Sequence, residues 1–111
     1  MVLDRQQLRD LTLGNEALMR EVMDVLLEDT RKQEPLLERA ILREDGQEVR
    51  RLAHYCRGAC DGVGARSSAD LLHEMERHAE RGEFTACRQL LAALEVELDR
   101  LEEEAALTRP V

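Results

Sequence analysis

The sequence predicts an all-α fold: an up-and-down antiparallel four-helix bundle with a short additional N-terminal helix. Three observations carry this. Leu, Ala, Glu and Arg dominate the 111 residues and β-branched residues are few, which favours helix over strand. Apolar residues recur at spacings of three and four, the period of a helix that buries one face. The breaks in that pattern are short and carry capping residues, so each helix turns back against the one before it.

The elements follow in order. Asp4 with Gln7 resembles a capping box ahead of Leu8 and Leu11, which opens the short first helix. Gly14 ends it, and Asn15 caps a long second helix through Leu18, Met19, Val22, Met23, Leu26, Thr30, Leu37, Ala40 and Ile41. Pro35 falls inside that run and is read as a kink in one continuous helix. In "EDGQE", Asp45 caps and Glu48 reaches back, opening a third helix from about Gly46 to about Gly62 with "GVGA" as the turn. Ser67 or Ser68 is expected to cap a fourth helix through Leu71, Leu72, Met75 and Ala79, which "RGEF" ends at Gly82. Phe84, Cys87, Leu91, Leu94, Leu98 and Leu101 draw one apolar stripe along the last helix. With no repeat and no linker, residues 1–111 are expected to form a single domain.

Composition removes several function classes. Hydrophobic residues make up 43% and charged residues 36%, which fits neither a disordered tail nor a membrane protein. No apolar run approaches the roughly 20 residues that span a bilayer. "MVLDRQQLRD" lacks the basic-then-apolar pattern of an export signal, so a cytoplasmic location is expected. A net charge of -8 and only 2% aromatics argue against nucleic acid, which needs a basic surface and stacking side chains. The three cysteines are an odd count and are read as reduced, buried small hydrophobes. His73 and His78 are read as solvated surface residues.

The chemistry concentrates in "AHYCRGACDGVGA", residues 53–65. On a helical wheel with His54 at zero, Val49, Leu52, Ala53, Cys56, Ala59, Cys60 and Val63 fall between about 140° and 260°. That apolar face lies opposite His54. Gln47, Arg50, Arg51, Arg57, Gly58 and Asp61 all fall within about 60° of it. His54 therefore reads as exposed. The three arginines make a local anion-attracting patch on an acidic chain. Gly58 costs a helix interior about 1 kcal/mol relative to Ala, and it leaves room beside His54 for a close approach. An exposed imidazole, a basic ring and an adjacent gap suggest a surface nucleophile that meets a large partner.

This stretch resembles the histidine-containing phosphotransfer (HPt) family, whose pattern is roughly A-H-x-L-K-G-x-x-x-x-x-G-A. It reads here Ala53-His54-Tyr55-Cys56-Arg57-Gly58, with Gly64-Ala65 in register. The resemblance covers nearly the whole chain: "LRDLTLGNEALMREVMDVLLEDT" matches the family's opening segments and "LLHEMERHAERGEFTACRQLLAALEVELDRL" its closing pair. Cys56 stands where Leu is favoured, Arg57 where Lys is commonest, and Asp61 where a small or neutral residue is usual. The resemblance implies a phosphocarrier with no catalytic machinery of its own. His54 would accept a phosphoryl group at Nε2 from an aspartyl phosphate on a receiver domain and pass it to another receiver. Arg50, Arg51, Arg57, Gly58 and Asp61 are the candidate phosphate- and partner-binding residues. Mg²⁺ is expected on the receiver and no cofactor or metal on this chain, which is expected to be a monomer.

Four other helical families compete with this resemblance. A sensor-kinase dimerising domain wants an acidic residue directly after the histidine, where Tyr55 stands. The phosphoacceptor domain of a larger chemotaxis-type or hybrid kinase shares the bundle. A metal-carboxylate bundle needs two Glu-x-x-His motifs, and only Asp70-x-x-His73 comes near. A helical adaptor that binds partners without phosphotransfer stays an alternative, against which the intact His54 argues. The second helix is apolar over roughly 200°, so one flank is expected to stay open as a docking patch, either Leu18 with Val22 and Val25 or else Leu27. Arg57 is expected to pair with Asp61, one turn on.

Overall fold

The computed structural model describes residues 1–107; the last four residues of the expected 1–111 domain lie outside the described residues. The described residues form five helices and no strand: α1 (Arg5–Leu11), α2 (Glu16–Leu42), α3 (Gly46–Val63), α4 (Arg66–Glu80) and α5 (Phe84–Leu107). Three of the expected caps are made. The side chains of Asp4, Asn15 and Asp45 accept from the backbone N–H groups of Gln7, Leu18 and Glu48. Each satisfies a donor that the first helical turn leaves free. Glu48 does not reach back as expected, because its carboxylate is taken by Arg51 one turn further on. Pro35 lies inside an unbroken α2.

The start of α4 departs from expectation. Neither Ser67 nor Ser68 caps it; the helix begins at Arg66 after Ala65, with no side-chain cap. The free donors are met from elsewhere. Ser67 gives both its N–H and its hydroxyl to the Met1 carbonyl, at 2.9 and 2.6 Å. Ser68 is buried inside the helix. The N-terminal segment is thus stitched to the α3–α4 turn. Asp4 N–H donates to Gly64 O at 2.7 Å, and Arg66 pairs with Asp4. Gly64 has φ +87°, and a Cβ there would lie 2.8 Å from Asp4 O, so glycine serves both the turn and the close approach.

Each of α2 to α5 packs on its chain neighbour, and α5 closes back on α2. One core unites them, with Leu37, Val49, Leu72, Met75, Leu94 and Leu98 among its most deeply buried side chains. The α5 stripe lies in this core as expected, from Cys87 to Leu101, with Phe84 at its edge. Among the described residues no helix is long and apolar enough to cross a membrane.

Candidate phosphoacceptor site

α3 separates its two faces as the wheel requires. Val49, Leu52, Ala53, Cys56, Cys60 and Val63 are buried, Ala59 is half-buried, and the His54 side chain is 68% exposed. Burial pushes the thiols of Cys56 and Cys60 up to about 12, which leaves them protonated packing groups.

His54 is not free to spin. Its Nδ1 lies 2.9 Å from Glu76 Oε1, on α4, and 3.0 Å from Arg57 Nη2. Arg57 Nε sits 2.6 Å from Glu76 Oε2, an ion pair without hydrogen-bond alignment. One ring nitrogen cannot donate to a carboxylate and accept from a guanidinium at once, so the two neighbours favour opposite tautomers. Glu76 is the firmer partner: it is closer, and its side chain is 17% exposed against 29% for Arg57. With the proton on Nδ1 and donated to Glu76, the lone pair is on Nε2, which has no protein partner among the described residues.

The remaining candidates divide. Arg50 is exposed, one turn before His54, with no partner among the described residues. Arg51 is exposed but bound to Glu48. Gly58 is exposed, and a Cβ built there meets nothing within 4 Å. Asp61 is exposed, and it is its backbone carbonyl that takes Gln7. The expected Arg57–Asp61 pair is replaced by Arg57–Glu76, because α4 brings a carboxylate against the other side of the guanidinium. Glu76 escaped the sequence reading. It adjoins the buried Met75, but nothing in a single chain's periodicity says which flank of α4 abuts α3. His73 is exposed and His78 lies half-buried at the surface, where its Nδ1 is 2.9 Å from Glu83 Oε1 across the α4–α5 turn. No group of three or more potential metal ligands occurs among the described residues.

Next to this site the α2–α3 seam opens into a groove of about 470 Å³, lined by Leu18, Val22, Val25, Leu26, Ala59 and Val63. Leu27 is buried, so the open flank is the one carrying Leu18 and Val25, which are 40% and 60% exposed. A second contact missed from sequence joins groove and histidine. The hydroxyl of the exposed Tyr55 donates to Asp29 Oδ2 at 2.7 Å, and Asp29 lines the groove.

A helical domain that presents an oriented, solvent-facing histidine beside an open apolar groove has the makings of a phosphoryl carrier. Its family is defined by comparison: the chain belongs to the Hpt domain family, whose model matches residues 21–104. A histidine phosphotransfer role in a phosphorelay goes with that membership. Among solved structures, histidine-containing phosphotransfer protein B (HptB) from Pseudomonas aeruginosa PAO1 is 26% identical, with 97% of each chain covered and a TM-score of 0.85. A rice protein assigned as a histidine-containing phosphotransfer protein shares the fold at 14% identity and a TM-score of 0.85, over 96% of this chain and 79% of its own. No curated protein matches the sequence.

Proposed function

We propose that this chain is a phosphocarrier whose acceptor is His54. The single observation that carries the reading is the Nδ1···Glu76 contact: with the ring proton donated there, the lone pair is on Nε2. In the proposed step that lone pair attacks the phosphorus of an aspartyl phosphate on a receiver domain. The P–O bond to the aspartyl carboxylate breaks as the N–P bond forms, and the carboxylate leaves. The ring then carries a positive charge, and Glu76 holds its Nδ1 proton throughout. Transfer to a second receiver is the same step in reverse. Mg²⁺ and the acidic cluster are assigned to the receiver, so this chain acts as a carrier without a catalytic centre of its own.

The neighbours take roles that fit their positions. Arg57 is close enough to swing from Glu76 to the phosphoryl oxygens, and Arg50 can approach them from the preceding turn. Arg51, held by Glu48, adds field at longer range. Gly58 leaves the surface low where the receiver must come close. Asp61 lies about 10 Å along the axis from His54, so it tunes the field and cannot act as a base. The receiver docks over α2 and α3, on the groove beside Tyr55. We read the bundle as up-and-down and antiparallel: Tyr55 meets Asp29 while the later Val63 shares the groove with the earlier Leu18 and Val22, and two- or three-residue turns link α2 to α5.

Incubation with a phosphorylated receiver is the test. Wild type should gain an acid-labile, base-stable label, and His54→Gln should fold normally and gain none. Undiminished labelling of that variant would refute the reading.

A further inference from the structure

The surface around the groove is electrically divided. At the His54 end stand Arg50, which has no partner among the described residues, and Arg51 and Arg57, which are paired with Glu48 and Glu76. Among the described residues, the charged ones lining the groove are acidic, Glu21 and Asp29, both on α2. They stand eight positions apart, which is about 12 Å along the helix. Glu21 is exposed and has no partner among the described residues. Asp29 accepts the Tyr55 hydroxyl through Oδ2, which holds the carboxylate at the groove's edge without neutralising it. The tie also raises the Tyr55 pKa, since the neighbouring anion disfavours a phenolate. Between the two carboxylates the floor is apolar, and Val22 and Val25 stand on the same α2 flank.

We propose that this groove selects receivers whose docking helix is apolar in the middle and carries a Lys or Arg at each end, about two turns apart. The inference rests on the phosphocarrier reading and names the partner chemistry that the reading leaves open. Charge complementarity sets the orientation. The receiver's acidic phosphoacceptor cluster faces the arginines around His54, and its basic-ended helix lies along the acidic-rimmed groove. A receiver with an acidic docking helix meets Glu21 and Asp29 with like charge, which disfavours the encounter. Rim charges of this kind act on the association rate and are screened by salt.

The experiment begins by loading His54 chemically with phosphoramidate, a small donor that needs no docking surface. Loading is measured for every variant, and transfer is normalised to it. Loaded protein is then mixed with purified receiver domains from the same genome. These are sorted by the charge flanking the exposed helix that borders the phosphoacceptor aspartate. Wild type should discharge fastest to receivers with basic-ended helices, and the preference should shrink at high salt. In Glu21→Gln/Asp29→Asn the asparagine still accepts from Tyr55, so only charge is removed. That variant should transfer to basic-ended receivers about three- to tenfold more slowly. Equal rates to acidic- and basic-ended receivers, or an unchanged rate in the double variant, would overturn the inference while leaving His54 as the acceptor. Label that reaches no receiver at all would overturn the carrier reading and this inference with it.

Discussion

Replacing Gly58 with Ala separates stability from function in one substitution. Gly58 lies inside α3, one turn after His54, and is exposed. A Cβ added there meets no atom within 4 Å, so Ala neither clashes nor gains a packing partner. Gly58 is not among the residues of positive φ, so Ala adopts its backbone without strain. What remains is intrinsic helix preference, which favours Ala over Gly by about 1 kcal/mol. In a domain of about 100 residues that is a rise in Tm of roughly 4–8 °C. The assay pairs a thermal melt followed by circular dichroism with the rate of phosphotransfer from a receiver. A glycine kept for a close-docking partner predicts opposite movements: Gly58→Ala melts higher and transfers more slowly, and Gly58→Glu still folds but does not transfer. A lower Tm for Gly58→Ala would refute the structural reasoning. Wild-type transfer by Gly58→Glu would remove the reason for the glycine.

Three further predictions follow from contacts around the bundle. Glu76→Ala leaves Arg57 as the Nδ1 neighbour, so ¹⁵N NMR should find the ring proton moved toward Nε2, with phosphoramidate loading slower by about tenfold, equivalent to about 1.4 kcal/mol; an unchanged tautomer in this variant would refute Glu76 as the orienting group. Burial raises all three thiols, Cys56 and Cys60 to about 12, so a thiol reagent at about pH 8 should label none in the native protein and three after unfolding; rapid native labelling would contradict that packing. Glu34 is held above the usual carboxylate range by burial and by Glu95, and its Oε1 has no hydrogen-bond partner. A raised folded pKa means that ionisation penalises the fold, and the penalty grows as pH rises through the ordinary carboxylate range. Glu34→Gln should therefore raise Tm at neutral pH, with the gain vanishing below about pH 4, since Arg31 keeps Asp99 and Glu102; a melt that shows the same difference at both pH values would exclude this origin.

The sequence by itself determined the five helices, most of their caps, and the face that His54 occupies. These are local properties. A period of 3.6 assigns each residue of α3 to the core or to solvent, and Asp4, Asn15 and Asp45 cap by reaching only three residues along the chain. The phosphotransfer resemblance was legible for the same reason, because its motif lies within thirteen consecutive residues of one helix and its turn. Contacts between helices were not legible. Periodicity says that α4 buries Leu72 and Met75, but not how far α4 is rotated against α3, and that rotation sets Glu76 rather than Asp61 beside Arg57. Both flanks of α2 carry apolar residues, and only the packing of its neighbours covers Leu27 and leaves Leu18 and Val25 open. The Ser67–Met1 bonds at the start of α4 and the Tyr55–Asp29 bond have the same character. Their partners, Met1 and Asp29, lie 66 and 26 residues away, and such bonds depend on where the tertiary structure brings two distant segments together.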